Sequence, residues 1–79
     1  MAKTYTYNKK EIGKVIRKNR KSLLLSQEKL AEMTGLQRTA ITQIEAGRRE
    51  LSSSELTIFA EIFNVSLEEL PYGEQIRED

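Results

Sequence analysis

The segment between Gln37 and Gly47 has two chemically different faces when it is placed on a helical wheel. One face is small and aliphatic and has to pack against something, while the other carries a guanidinium, an amide and two hydroxyl groups. These groups pair with base edges in the major groove of DNA, whereas an ordinary solvated helix face carries mostly Glu and Lys. The polar face consists of Arg38, Thr39, Thr42 and Gln43, and the aliphatic face of Ala40, Ile41 and Ile44.

The residues upstream predict a second short helix in front of this one. Ser26 is a favourable N-cap residue, and residues 27–33 can form a helix with Leu30 and Ala31 turned inward. Gly35 then supplies a residue that tolerates a positive φ after the end of a helix. Two short helices joined by a tight turn that contains Gly form a helix-turn-helix, so the polar face of the second one is a candidate DNA-reading surface.

The composition restricts both the size of the fold and its chemistry. At 79 residues the chain is one domain, and its small core has to be mostly local and helical or be helped by a partner. The chain has no Cys and no His, which excludes zinc sites built on these residues, Cys nucleophiles and His general bases. We therefore expect no cofactor. The lack of disulfides suits a reducing cytoplasm. No apolar run is long enough to span a membrane, so we expect no membrane partner.

Charge is distributed unevenly along the chain, although the net charge is only +1. Residues 1–25 carry eight basic and one acidic side chain, residues 26–49 carry four and three, and residues 50–79 carry one and eight. This asymmetry allows one end of the molecule to lie on a polyanion while the other end avoids it. A dipolar, solvated protein without a polyanionic partner has the same pattern, so charge alone does not decide between them.

Capping patterns and hydrophobic spacing predict an all-α fold with five helices and no strand. Three pairs have the spacing of a capping box, namely Asn8 with Glu11, Ser52 with Glu55, and Ser66 with Glu69. The predicted helices span about residues 9–22, 27–33, 38–46, 53–63 and 67–70. We interpret residues 1–7 as a flexible arm, residues 8–71 as the helix-turn-helix domain and residues 72–79 as an acidic tail.

Over about residues 12–70 the sequence resembles the phage-repressor type of helix-turn-helix domain, the Cro and XRE-like family. Several short motifs occur in the order and at the spacing typical of that family. They are Ile12-Gly13, Arg20, residues 25–31, Gly35-Leu36, Ile41, Ile44-Glu45, Gly47-Arg48, Leu56, Ala60 and residues 65–70. The resemblance implies a compact five-helix domain whose second and third helices bind double-stranded DNA.

The resemblance also implies roles for individual residues. Base readout is expected from Gln37, Arg38, Thr39, Thr42 and Gln43, and phosphate contacts from Ser26, Gln27, Arg48 and Arg49. Arg can bind guanine with two hydrogen bonds, Gln can do the same with adenine, and a Thr methyl can contact the thymine methyl. Arg20, at the edge of the apolar face of the first helix, is expected to form a structural ion pair with Glu45.

Three residues depart from the family pattern. Leu24 replaces a Gly or small polar residue before the second helix, and a positive φ there would cost a bulky side chain about 1 kcal/mol or more. Ala46 stands where Asn is common, so one phosphate contact is missing. Gln37 replaces the usual Ser or Thr N-cap of the third helix, which weakens the cap but allows the side chain to reach DNA.

These observations predict a sequence-specific transcriptional regulator, in the first place a repressor that excludes polymerase from a promoter. One reading helix covers only a few base pairs, so we expect a homodimer on a palindromic operator with its reading helices about 34 Å apart. The dimer surface in relatives uses the fourth and fifth helices, whose apolar residues are also needed for the core. The dimer candidates are Phe59, Ile62, Phe63 and Leu67.

Other functions remain open at this point. Domains of this type also serve as antitoxins or protein-interaction modules with a protein partner, and as the N-terminal DNA-binding part of longer regulators. An enzyme is not expected, because the chain has no glycine-rich phosphate loop and no carboxylate pair on a plausible cleft wall. RNA binding would require aromatic stacking platforms, which the third helix lacks.

Overall fold

The computed structural model describes the backbone of residues 2–66 and 72–77 and the side chains of residues 8–66. The elements in chain order are β1 (Ala2–Tyr7), α1 (Lys9–Ser22), α2 (Gln27–Thr34), α3 (Arg38–Glu45), α4 (Ser53–Phe63) and β2 (Tyr72–Arg77). The four helices agree with the predicted ones to within one residue at each end. The fifth helix, predicted at residues 67–70, lies outside the described residues.

The two strands correct the prediction of a fold without strands. β1 and β2 pair antiparallel, with a register that runs from Ala2 opposite Arg77 to Tyr7 opposite Tyr72. β1 lies in the segment predicted as a flexible arm, and β2 lies in the segment predicted as an acidic tail. Neither segment could form a sheet by itself, so the sequence pattern predicts no strand in either. The helix-turn-helix domain itself is all-helical, as predicted, and a two-stranded sheet of residues 2–7 and 72–77 accompanies it.

The apolar faces of the four helices meet in a single core. Ile41 and Ile44 from the aliphatic face of α3 are 0% and 1% exposed, as the helical wheel predicts. The rings of Phe59 and Phe63 pack against each other with their centroids 6.0 Å apart. The largest fully buried side chains are Ile12, Ile16, Leu30, Ile41, Ile44, Leu56 and Phe59.

Local hydrogen bonds determine where the helices begin. Asn8 caps α1 by accepting from the backbone N–H groups of Lys10 and Glu11, and Ser26 caps α2 by accepting from that of Lys29. Ser52 and Glu55 form the complete reciprocal capping box predicted at the start of α4. Of the other two predicted capping boxes, the one at Asn8 and Glu11 has the Asn8 cap described above. The one at Ser66 and Glu69 includes residue 69, which lies outside the described residues.

Two glycines determine how α3 is placed. Gly35 ends α2 with a left-handed φ of 77°, which turns the chain towards α3. Gly13 lies against the backbone of α3, where an added Cβ would collide with the carbonyl oxygen of Ile44. The close crossing of α1 and α3 brings Arg20 to the end of α3. No helix in the described ranges has both the length and the apolar character needed to cross a membrane.

Candidate nucleic-acid interface

The polar face of α3 is exposed along its whole length. The five residues predicted to read bases, Gln37, Arg38, Thr39, Thr42 and Gln43, are all on the surface. Gln37 occupies the N-cap position in an extended conformation, and its side chain forms no capping hydrogen bond. Its amide is thus not used to stabilise the helix, as the departure from Ser or Thr predicts. All five residues thus lie exposed on α3 or at its N-cap.

An ion pair holds this helix to α1. The Arg20 guanidinium donates to both carboxylate oxygens of Glu45, at 2.6 and 3.0 Å, and to the carbonyl oxygen of Leu25 at 2.8 Å. The two charged side chains are only 11% and 4% exposed. Hydrogen bonding to Glu45 raises the pKa of Arg20 above its ordinary value, against the opposing effect of burial. The pair predicted from the resemblance therefore joins α1, the turn before α2 and the end of α3.

Gln27 has an intramolecular role that the sequence did not predict. Its amide nitrogen donates to Glu45 Oε1 at 3.2 Å, and its amide oxygen accepts from the Thr42 hydroxyl at 3.0 Å. The side chain is half-buried between the first turn of α2 and the exposed face of α3. Gln27 therefore bridges the ion pair and Thr42, one of the residues predicted to read bases.

Arg48 and Arg49 differ in the structure, although the sequence predicted the same role for both. Arg49 is half-buried and donates to both carboxylate oxygens of Glu55, at 2.9 and 3.3 Å. This carboxylate also accepts from the Ser52 backbone N–H at 2.9 Å. The Arg49 hydrogen bond is the largest of the causes that hold the pKa of Glu55 below its usual value. In the described part of the chain Arg48 is exposed and has no ion-pair partner.

The start of α2 presents polar groups near α3. The Ser26 hydroxyl oxygen accepts from the Lys29 backbone N–H at 2.9 Å, and its own proton stays available for an acceptor such as phosphate. Two residues earlier, Leu24 has a φ of 58°. Its side chain is 93% exposed, so packing does not compensate for the left-handed backbone. The family preference for a small residue at this position therefore has a backbone cause.

Arg17 is a candidate site residue that the sequence did not single out from the other cations of α1. It borders a cleft of about 250 Å³ between α1, the start of α2 and the end of α3. The other residues that line the cleft are Arg20, Gln27, Thr42, Glu45 and Ala46. Arg17 is exposed and has no ion-pair partner among the described residues. Its position three residues before Arg20, one helical turn away, is the signal that could have identified it.

The candidates for a dimer surface are divided by burial. Phe59 and Phe63 are 1% and 9% exposed, so they belong to the core and cannot be surface contacts in this fold. Ile62 is half-buried, as are Ile58 on the same helix and Val65 just after its end. Leu67 lies outside the described residues. The described apolar surface near α4 is therefore smaller than the sequence suggested.

Comparison with known proteins identifies the family. The model of the helix-turn-helix family HTH_3 matches residues 16–70. The chain belongs to this family. A curated relative, control protein C.SmaI of Serratia marcescens, is 46% identical over 46 residues, which cover 58% of this chain and 55% of the relative. The chain thus spans about half the length of that relative.

Two solved structures have the same fold. The restriction-modification controller protein C.AhdI from Aeromonas hydrophila has a TM-score of 0.69 and 29% identity, with 75% of this chain and 86% of that chain covered. The P22 c2 repressor in complex with synthetic operator 9T has a TM-score of 0.66 and 31% identity, with 70% and 83% covered. The family and these structures confirm the predicted helix-turn-helix domain of the Cro and XRE type, and the two solved relatives are a controller protein and a repressor.

Proposed function

We propose that this protein is a cytoplasmic repressor that binds a palindromic operator as a homodimer, with α3 of each protomer in the major groove. The observation that carries the proposal is the exposed polar face of α3 on a buried aliphatic face. Because Ile41 and Ile44 are buried and Glu45 is held by Arg20, the helix presents its polar side chains from a rigid support. The P22 c2 repressor, which is similar in fold, was solved on a synthetic operator.

Base specificity is assigned to Arg38 and Gln43. Both side chains are exposed, and neither forms an ion pair or a side-chain hydrogen bond within the described part of the chain. Arg38 can bind O6 and N7 of guanine, and Gln43 can bind N6 and N7 of adenine. Each such pair discriminates against the wrong base by about 1–3 kcal/mol. Gln37 and Thr39 lie beside them and contact neighbouring bases.

Phosphate contacts flank this face on both sides. Arg48 lies past the end of α3, and Ser26 lies at the first turn of α2, where backbone N–H groups favour an anion. Arg17 adds a cation on the side of α1, next to the position where Ala46 lacks a polar side chain. Contacts of this kind determine the register of the protein on the duplex without reading its sequence.

Dimerisation is proposed because one reading helix contacts too few base pairs to specify a site. A two-fold dimer would place the reading helices about 34 Å apart on successive major grooves. Ile58, Ile62 and Val65 are the half-buried apolar residues of the described part of α4 and its end, and they could contribute to this surface. Their burial in a dimer would remove the apolar area that these three residues leave exposed on each protomer.

Selection of bound duplexes from a randomised pool, followed by sequencing, tests the proposal. We expect a two-fold symmetric motif with half-sites about one helical turn apart. Arg38→Ala and Gln43→Ala should each relax the base preference at one position per half-site without lowering the melting temperature. Glu61→Ala, an exposed acid on α4, is the control. Lack of enrichment with a folded protein would reject operator binding and favour an antitoxin or interaction module.

We further propose that the regulated genes belong to a restriction-modification system. The relatives that favour this second proposal are control protein C.SmaI, at 46% identity, and the restriction-modification controller protein C.AhdI, at 29% identity. The selected motif can be searched for in the genome that carries this gene. Copies upstream of genes for a restriction endonuclease and its methyltransferase would support the proposal. Copies only upstream of unrelated genes would contradict it.

A further inference from the structure

We propose that Gln27 is a positioning residue for base readout. It fixes the hydrogen-bond polarity of Thr42, so that α3 offers a methyl group and an acceptor to the DNA at this position and no hydroxyl donor. The inference rests on the proposed readout by α3. It predicts that the base pair opposite Thr42 carries a thymine whose 5-methyl group is contacted.

The polarity begins at the ion pair. Glu45 is held by two hydrogen bonds from Arg20, at 2.6 and 3.0 Å, and an ionised carboxylate only accepts hydrogen bonds. The group of Gln27 that lies 3.2 Å from Glu45 must therefore be its amide nitrogen, because an amide oxygen there would face another acceptor. The buried charge of the ion pair thus decides which way the Gln27 amide points.

The amide then decides the orientation of the Thr42 hydroxyl. With its nitrogen directed at Glu45, Gln27 presents its oxygen to Thr42 Oγ1 at 3.0 Å, so the hydroxyl has to be the donor. The other polar neighbour of this hydroxyl is the carbonyl oxygen of Arg38 at 3.1 Å, which is also an acceptor. A hydroxyl group has one proton, and both available acceptors belong to the protein.

This arrangement restricts what Thr42 can recognise. A hydroxyl whose proton is used internally cannot donate to a phosphate oxygen, to N7 or O6 of guanine, or to N7 of adenine. Since the hydroxyl is directed towards Gln27 and the helix backbone, the methyl group of the exposed side chain remains for the groove. In the major groove the thymine methyl is the apolar feature that such a group can contact.

The test measures how tightly the selected operator binds when it contains thymine or uracil at one position. This exchange removes only the 5-methyl group. The wild-type protein should bind the thymine duplex about fourfold more tightly at the position opposite Thr42, which corresponds to burial of about one carbon group. Thr42→Ser keeps the hydroxyl and removes the methyl, so its affinity for the thymine duplex should be about equal to its affinity for the uracil duplex. Thr57→Ser is the matched control, because Thr57 on α4 forms the same type of backbone hydrogen bond, to Ser53 O at 3.0 Å.

Two variants of Gln27 test the positioning role. Gln27→Met has a similar length but no polar group, and Gln27→Asn keeps the amide but is too short to bridge Glu45 and Thr42. In both, the Thr42 hydroxyl loses one of its two internal acceptors and keeps only the Arg38 carbonyl oxygen, so donation to a base can compete. The thymine preference should then fall, and guanine should be better tolerated at this position. The ratio is measured within each variant, so a general loss of affinity or stability does not affect it.

Three results would overturn the proposal. One is an unchanged fourfold preference in both Gln27 variants, and another is a wild-type protein that binds its operator specifically without a thymine preference at any position. The third is equal loss of preference in Thr57→Ser. Failure of the folded wild-type protein to bind any duplex is a separate result, since it would reject the proposed function together with this inference.

Discussion

Replacement of Glu45 by Ala tests whether the ion pair connects the scaffold to the reading helix. The Glu45 side chain is 4% exposed and accepts hydrogen bonds from Arg20 and Gln27. Its removal leaves the guanidinium of Arg20, which is 11% exposed, with Leu25 O as its remaining acceptor among the described residues. We therefore expect a loss of stability before any change in base preference.

The magnitude follows from the burial of the pair. Loss of one partner of a buried ion pair costs about 3–5 kcal/mol, because the other charge is left buried and uncompensated. Arg20 keeps its hydrogen bond of 2.8 Å to Leu25 O and borders an open cleft, so we expect the lower end, about 3 kcal/mol. Small domains are stable by about 5–15 kcal/mol in total. At about 4–8 °C per kcal/mol, the melting temperature should fall by about 12 °C or more.

Urea and thermal unfolding followed by circular dichroism measure this change. Glu61→Ala is the control, since an exposed acid should alter the free energy of unfolding by less than about 0.5 kcal/mol. The double variant Arg20→Met with Glu45→Met should be more stable than Glu45→Ala, because no charge is left without a partner. A loss below about 1 kcal/mol in Glu45→Ala, or altered base preference at unchanged stability, would refute the structural role.

Three further predictions concern the backbone, pH and salt. Leu24→Gly should raise the free energy of unfolding by up to about 1 kcal/mol, since relief of left-handed strain exceeds the entropic cost of Gly, whereas Leu24→Ala should change it little. A lower urea midpoint for Leu24→Gly than for Leu24→Ala would contradict this. The lowered pKa of Glu55 stabilises the fold above the ordinary glutamate value of about 4.3, and this contribution is lost as the pH falls through the folded-state pKa. The free energy of unfolding, measured above and below this pH, should therefore change less with pH in Glu55→Gln than in the wild type. An equal pH dependence in the two proteins would argue against the Arg49 contact. Arg48→Ala should reduce the slope of log K against log salt by about 0.9, while Arg49→Ala should lower stability and leave the slope unchanged. Equal slopes for Arg48→Ala and wild type would show that Arg48 does not contact phosphate.

Local patterns predicted the helical part of the fold well. The capping box of Ser52 and Glu55, the Gly35 turn and the buried face of Ile41 and Ile44 depend on residues within a few positions of each other. Such interactions repeat with the helical period and can be read along the chain. The strain at Leu24 also followed from residue type, once the resemblance indicated a position that favours a small residue. The strands were missed because their partners lie at opposite ends of the chain.

By itself, the sequence determined which helices form, which faces they bury and which polar groups α3 exposes. Tertiary structure alone decided that Arg49 binds Glu55, whereas Arg48 has no ion pair among the described residues. It also decided that Gln27 bridges Glu45 and Thr42. Hydrogen bonds of about 3 Å between different elements depend on how the helices cross, and side-chain periodicity along one helix carries no information about that distance.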